Sequence, residues 1–137
     1  MIVVDTNVWS ELTRRTPERR VVEWERANKI DLRMSAIVLA EFRAGAALMA
    51  AGRNRSALEA VIEEIADIYA DRLLPFEARC SAHYGVVLAN ARQAGKPIQA
   101  ADAMIAATAM AHGMTVATRN VGDFAGTGIA LINPWEV

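Results

Sequence analysis

MIVVDTNVWSE, residues 1–11, opens the chain with a short apolar run that leads directly into the polar triplet Asp5-Thr6-Asn7. The apolar residues 2–4 predict a short buried strand, and residues 7 to about 14 predict a short helix. A carboxylate that ends a buried strand is either a cap for the next helix or part of a site for a metal ion. The remainder of the sequence is needed to decide between these two roles for Asp5.

Short apolar strands alternate with helices along the rest of the chain. Strands are predicted at residues 32–35, 72–74, 114–118 and 129–132, and helices at residues 17–28, 38–52, 56–69, 76–94, 100–112 and 120–124. This alternation implies parallel crossovers, and 137 residues suffice for one domain. We therefore predict a single α/β domain over residues 1–137, with helices on both faces of a parallel sheet.

Composition and charge limit the classes of protein to which the chain can belong. Of its residues, 53% are hydrophobic, which is typical of a folded protein, and the net charge of −1 does not indicate nucleic acid binding. Seven basic residues between positions 14 and 33 are better explained as solvated helix faces than as a binding surface. Because the single Cys80 excludes an internal disulfide and no stretch approaches about twenty apolar residues, we expect a cytoplasmic protein without a membrane partner.

Four acidic residues are predicted at the carboxyl edge of the sheet, where functional sites gather in α/β folds. Asp5 and Asp123 closely follow strands, Glu41 lies near the start of a helix that follows a strand, and Asp102 begins a helix that runs back from the same edge. Clustered carboxylates repel one another, and each takes a raised pKa unless a cation neutralises them. A set of oxygen ligands without His or Cys favours Mg²⁺ or Mn²⁺ over zinc.

Each of these acids also has a structural explanation. Asp5 could cap the first helix, Asp123 could form a capping box with Asn120, and Asp102 could favour its helix dipole. Glu41 has no basic residue four positions away on its helix. One shared site accounts for all four positions, whereas the structural explanations need a separate coincidence for each.

The ordered motifs of the chain resemble those of the PIN-domain ribonucleases. The motifs are Asp5-Thr6-Asn7, Ala40-Glu41-Phe42, Asp102-Ala103, and Thr118-Arg119-Asn120 followed by Asp123-Phe124. The resemblance covers essentially the whole chain and is nearest to the VapC-type toxins of bacterial toxin–antitoxin pairs, including the FitB-like branch. No single motif is specific, but the ordered set is.

This resemblance implies a three-layer α/β/α sandwich with parallel strand order 3-2-1-4-5 and Mg²⁺- or Mn²⁺-dependent endonucleolytic cleavage of RNA. It also implies a homodimer and inhibition by a VapB- or FitA-like antitoxin. The implied catalytic residues are Asp5, Glu41, Asp102 and Asp123. Of these, Asp5 and Asp102 would be direct metal ligands, while the other two would act at a second site or through water. The polar residues that would support the pocket are Asn7, Thr118 and Asn120.

Basic side chains near the predicted site are candidates for contacts with RNA phosphates. They are Arg119, which follows a strand, and Arg14 and Arg15, which end the first helix.

Two other functions stay open at the level of sequence. One is a non-catalytic PIN-like module that binds RNA or protein without cutting, and the other is an aspartate-based phosphatase. Such phosphatases carry Asp-x-Asp-x-Thr after the first strand, where this chain has Asn7 and Trp9 in place of the second Asp and the Thr. A phosphoacceptor signalling domain would need a Lys after a late strand, where this chain has Thr118-Arg119. Metal titration with a cleavage assay separates these functions.

Overall fold

Five short parallel strands form the centre of the molecule. The computed structural model describes all 137 residues. Its strands are β1 (Ile2–Val4), β2 (Leu32–Ser35), β3 (Leu73–Leu74), β4 (Thr115–Ala117) and β5 (Leu131–Ile132). They form one sheet in the order β3-β2-β1-β4-β5, and every neighbouring pair is parallel. The predicted parallel sheet and its strand order are therefore confirmed.

Seven α-helices connect the strands. They are α1 (Thr6–Leu12), α2 (Arg19–Asn28), α3 (Ala36–Ala47), α4 (Arg53–Ile68), α5 (Ala78–Gln93), α6 (Ala100–Ala111) and α7 (Val121–Phe124), and a 3₁₀ turn at Ala70–Arg72 precedes β3. None of these helices combines the length and the apolar character that crossing a membrane requires. Because α1, α3 and α7 begin within a few residues of the ends of β1, β2 and β4, their first turns lie at the carboxyl edge of the sheet.

A single hydrophobic cluster of 23 buried residues joins the sheet to the helices. All three residues of the central strand β1 are buried, as an apolar strand covered on both faces requires. Helix α6 supplies small residues to this cluster, among them Ala103, Ala106 and Ala107, which are fully buried. Trp9 and Trp24 of the first two helices also lie in the core, and Trp9 packs edge-on against Tyr69 with ring centroids 4.9 Å apart.

Several element boundaries differ from the predicted ones. Helix α2 begins at Arg19 rather than at Pro17, because Glu18 is the extended residue that precedes the helix and its N–H donates to a side chain of α1. Helix α3 ends at Ala47, and Gly52 starts α4 instead of ending α3. With a φ of 154°, Gly52 has a backbone conformation that favours glycine. Strand β5 is limited to its last two predicted residues.

Candidate active site

Asp5 lies at the centre of a hydrogen-bond network directly after β1. Its Oδ1 accepts a bond from Thr6 N at 2.7 Å, and its Oδ2 accepts bonds from Asn7 Nδ2 at 3.1 Å and Thr118 Oγ1 at 2.7 Å. Burial raises the pKa of Asp5 above its ordinary value, these hydrogen bonds offset part of that rise, and the charge of Asp123 adds to it. Asp5 therefore caps α1 and also takes part in tertiary contacts. A role as a helix cap is thus compatible with a role in a site for a metal ion.

Glu41 is connected to Asp5 through Thr6. Ser35 caps α3 by accepting a hydrogen bond from Ile37 N at 3.1 Å, which fixes the start of the helix at the end of β2. Glu41 lies in the second turn of this helix and is half-buried, and its Oε1 accepts a hydrogen bond from Thr6 Oγ1 at 2.8 Å. Thr6 thus binds both carboxylates, one with its backbone and one with its side chain.

Asp102 is the acid with the most perturbed pKa in the site. Its half-buried side chain lies in the first turn of α6. Burial, followed by the negative charges of Asp5, Glu41 and Asp123, raises its pKa to about 6, and no hydrogen bond offsets the rise. Asp102 therefore lies within electrostatic reach of each of the other three acids.

Asp123 is more peripheral than the other three acids. It is exposed on the short helix α7 and does not line the cavity described below, although its charge acts on both Asp5 and Asp102. The alternative of a capping box with Asn120 is not what the structure shows. The Asn120 side chain does not cap α7, and its backbone N–H donates to Thr118 Oγ1 at 3.0 Å.

Asn7 and Thr118 hold the ends of β1 and β4 together beneath the acids. Asn7 Nδ2 donates to Thr118 Oγ1 as well as to Asp5, and Asn7 Oδ1 accepts a bond from Arg119 N at 3.1 Å. Thr118 is fully buried, and its hydroxyl accepts from Asn7 and Asn120 while it donates to Asp5. Two of the predicted polar residues, Asn7 and Thr118, therefore bind Asp5 directly, and the third, Asn120, binds Thr118 and lines the cavity.

An open cavity of about 470 Å³ unites most of these residues. Its lining consists of Asp5, Thr6, Asn7, Ser10, Glu11, Arg14, Glu41, Asp102, Arg119, Asn120 and Trp135. This volume lies in the range of small-molecule and cofactor sites. A second cavity of about 280 Å³ lies between α3 and α4, away from these acids.

The carboxylates at this cavity fit a hard divalent cation. No three Asp, Glu, His or Cys side chains are close enough together to form a complete metal site by themselves. Mg²⁺, however, is commonly bound by one or two carboxylates and keeps several water molecules. Asp102 has a raised pKa without a hydrogen-bond donor to stabilise its charge, and Asp5 lies near it. Asp5 and Asp102 are therefore two carboxylates of this cavity that could hold Mg²⁺ or Mn²⁺.

Two of the three predicted phosphate-binding arginines lie at the cavity. Arg14 and Arg119 line it, whereas Arg15 is exposed outside its lining. Arg14 Nη1 contacts both carboxylate oxygens of Glu11 at 3.1 and 3.3 Å, and the Arg119 guanidinium lies 5.2 Å from the centroid of the Trp135 ring. The wall of the cavity therefore carries two arginines as well as the acids Asp5, Glu41 and Asp102.

Glu11 is a site residue that the sequence interpretation missed. Its side chain is only 6% exposed, and its Oε1 accepts a hydrogen bond from Glu18 N at 2.7 Å. That bond is the largest influence on its pKa, which is lowered, and Arg14 and Arg119 lower the pKa further. Asn7 and Glu11 are four positions apart on α1 and so share one helix face, a signal that could have identified Glu11.

Comparison with known proteins extends over nearly the whole chain. Residues 2–128 match the family model of the PIN domain. The VapC ribonuclease Y4jK of Sinorhizobium fredii is 46% identical over 138 residues, which cover 99% of each chain. Toxin FitB of Neisseria gonorrhoeae is 43% identical, with the same coverage of both chains.

Structural comparison gives the same result. A chain in the crystal structure of FitAcB from Neisseria gonorrhoeae superposes with a TM-score of 0.92 at 42% sequence identity, and the match covers 100% of both chains. The family match begins at β1 and ends after α7, so it includes all four acids described above.

Proposed function

Because this chain belongs to the PIN domain family, we propose that it is a Mg²⁺- or Mn²⁺-dependent endoribonuclease that acts as the toxin of a toxin–antitoxin pair. The names of two relatives support this proposal, since one is called a VapC ribonuclease and the other toxin FitB. The alignment with each relative covers 99% of this chain, so the similarity is not limited to part of the fold.

The observation that carries the proposal is the meeting of three acids from distant parts of the sequence in one cavity. Asp5, Glu41 and Asp102 all line it. Three carboxylates without a basic partner in one partly buried cavity are costly for a protein that has no cation to place there. The raised pKa of Asp102, to which burial and the charges of Asp5 and Glu41 contribute, reflects this cost and supports a role in metal binding.

Different residues of this chain would bind the metal ion, orient its ligands and contact the RNA during phosphodiester hydrolysis. Asp5 and Asp102 would hold the ion, and the bonds from Thr6, Asn7 and Thr118 would keep Asp5 in one orientation. When bound, a divalent ion supplies Lewis acidity, which favours ionisation of the attacking water and offsets negative charge on the phosphate.

Glu41 and Asp123 would anchor water or accept its proton during the attack. Thr6 binds Oε1 of Glu41 and leaves the other oxygen of this carboxylate for the water. The expected products carry a 5′-phosphate and a 3′-hydroxyl. Arg14 and Arg119 would contact phosphates of the RNA near the cleaved bond.

An antitoxin and a second copy of the chain are the proposed protein partners. The high similarity to a chain of the FitAcB structure supports a VapB- or FitA-like antitoxin that inhibits the nuclease. A small reading frame beside the gene, encoding a protein with a DNA-binding N-terminus, would be the expected antitoxin. A homodimer in solution is expected as well.

The test is a cleavage assay with the purified chain in the absence of antitoxin. We expect RNA to be cut in Mg²⁺ or Mn²⁺, and we expect cleavage to stop when a chelator is added. The variants Asp5→Ala and Asp102→Ala should lose cleavage by at least about 100-fold, the usual effect of removing a group that acts in the transition state. The matched control is Asp67→Ala, because Asp67 is exposed on α4 and lies outside the cavity.

The other functions predict different outcomes of the same assay. A module that only binds would retain RNA without cutting it at any concentration of metal. A phosphatase would release phosphate from a monoester substrate and would leave internal phosphodiester bonds intact. Strong cleavage by either alanine variant would remove that residue from the proposed site.

A further inference from the structure

Trp135 is an aromatic residue in a cavity that is otherwise lined by polar and charged residues. It is the one hydrophobic residue among the eleven that line the cavity, and it is partly exposed. The other two tryptophans, Trp9 and Trp24, are buried at 3% and 8% exposure and do not line this cavity. Trp135 packs against the hydrophobic core and also lines the polar cavity, so part of its aromatic surface is open to a ligand there.

Three contacts place Trp135 at this position. Its backbone N–H donates to Asn133 Oδ1 at 3.1 Å, and its carbonyl oxygen accepts a bond from Arg20 Nη1 at 3.3 Å. The ring itself packs against the hydrophobic core. The two hydrogen bonds therefore fix the backbone of Trp135, and the packing holds its ring in place.

The charged residues beside Trp135 suit a nucleotide. The Arg119 guanidinium lies over the ring at 5.2 Å from its centroid, and Arg14 lines the same cavity. Both arginines act on the buried carboxylate Glu11, Arg14 through hydrogen bonds and Arg119 through its charge. Glu11 thus holds Arg14 in place, while Arg119 lies over the Trp135 ring, so two cations suited to phosphate and one aromatic ring suited to a base line the same cavity.

Distance along α1 agrees with the size of such a ligand. Asp5 precedes the helix and Glu11 lies near its end, so the two ends of the cavity wall are separated by about 9 Å along the helix axis. This separation leaves room for a base near Trp135 while a phosphate of the same strand lies at the acids.

We propose that Trp135, together with Arg119, forms a stacking platform for an unpaired base of the RNA beside the cleaved phosphate. Aromatic rings and Arg planes are the groups on which proteins stack unpaired bases. The platform rests on the function proposed above, because it presupposes an RNA substrate. It would make single-stranded RNA the preferred substrate, since a base inside a duplex cannot reach the ring.

The test measures RNA binding without cleavage. The reference chain is the protein with Asp102→Asn, used in chelator so that cleavage is not expected. This substitution also removes one negative charge from the cavity. The probe is a short, unstructured oligoribonucleotide and a series of the same oligonucleotide with one abasic position at a time. Trp135→Ala in this background should weaken binding by about 5- to 100-fold, the range measured for one stacked base. One abasic position should weaken RNA binding by the reference chain more than the others do. In the Trp135→Ala variant, the same abasic position should have no further effect on binding.

Conservative variants separate stacking from packing. Trp135→Phe keeps an aromatic face and should retain most of the binding, whereas it should lose the quenching of tryptophan fluorescence that RNA causes in the reference chain. The matched control is Trp24→Phe, which should retain both binding and quenching because Trp24 is buried outside the cavity. Thermal unfolding of each variant shows whether the fold is intact.

The proposal is overturned if Trp135→Ala binds RNA within about twofold of the reference chain, a change of the size expected for a surface residue without a role. It is also overturned if quenching persists in Trp135→Phe, or if no chain binds RNA. Cleavage by the wild-type chain with no effect of Trp135→Ala on binding would contradict the stacking platform but not the nuclease function. Binding and quenching by the wild-type chain without cleavage in Mg²⁺ or Mn²⁺ would contradict the nuclease function but not the platform.

Discussion

Asp5 and Thr118 are 113 positions apart in the sequence, and the Thr118 hydroxyl donates a 2.7 Å hydrogen bond to Asp5 Oδ2. Both residues are buried, and they follow the adjacent parallel strands β1 and β4. The bond lowers the pKa of Asp5 against the larger effect of burial. Thr118 therefore helps to keep a buried carboxylate ionised at the centre of the candidate site.

Replacing Thr118 by valine should reduce both stability and activity. The substitution retains the shape of the side chain but leaves Asp5 Oδ2 with one donor fewer, so we expect a loss of about 1–3 kcal/mol in the free energy of unfolding. The pKa of Asp5 should rise further and RNA cleavage should fall. Thr118→Ser keeps the hydroxyl and should preserve most of the activity. Denaturant unfolding and cleavage rates test this, and a valine variant equal to wild type in both would contradict it.

Replacing Asp102 by asparagine should stabilise the metal-free protein while it abolishes cleavage. The folded-state pKa of Asp102 is about 6, above its ordinary 3.8, so the ionised side chain disfavours the fold above pH 6. After allowance for solvent screening, Asp102→Asn should add about 1–2 kcal/mol at pH 7 in chelator. The gain should shrink as the pH falls from 6 to 4. Asp67→Asn, on the exposed face of α4, is the control and should change stability little.

Cleavage should depend on pH through the same carboxyl group. Asp102 must be ionised to hold a cation, so at low Mg²⁺ the rate should fall as the pH decreases through about 6. Higher Mg²⁺ should move this midpoint to lower pH, because the metal competes with the proton. Rates measured from pH 5 to pH 8 at two metal concentrations test this prediction. A midpoint that does not move with metal would separate Asp102 from metal binding.

Loss of Glu11 should cost more stability than loss of an exposed acid of the same type. Glu11→Ala leaves Glu18 N and Arg14 without their acceptor, so we expect about 1–3 kcal/mol of destabilisation. Glu23→Ala breaks only the exposed pair with Arg19, which solvent screens, and should change stability little. Because the folded-state pKa of Glu11 is lowered, its contribution should be present above its ordinary pKa of 4.5 and lost as the pH falls through the lowered value. Equal costs for both variants would contradict the role of Glu11.

Much of the fold was predictable because its signals are local. The apolar run of β1 and the alternation of strands with helices predicted the existence and type of every strand and helix. The break between α3 and α4 was misplaced, because α3 ends at Ala47 and Gly52 precedes α4. The sheet order 3-2-1-4-5 came from family resemblance, since pattern alone indicates only that the strands are parallel. Strand β3 has two residues, and its place beside β2 depends on pairing rather than on its own sequence.

The candidate site was predictable in its acids and less so in its contacts. Their positions after strands or at helix starts predicted that Asp5, Glu41 and Asp102 would meet. The bond from Thr6 to Glu41 spans 35 positions, and no local pattern indicates such a bond. The same holds for Arg119 over Trp135, which depends on where the end of the chain lies.

The central place of β1 also affects when the candidate site can assemble during synthesis. The ribosome makes β1 and Asp5 well before β4 and Thr118, which complete their surroundings. A nascent chain or a prematurely terminated fragment that lacks β4 has no assembled site, because the central strand has lost one neighbour and Asp5 has lost one donor. The order of the strands therefore delays assembly of the candidate site until β4 has been made and has paired with β1.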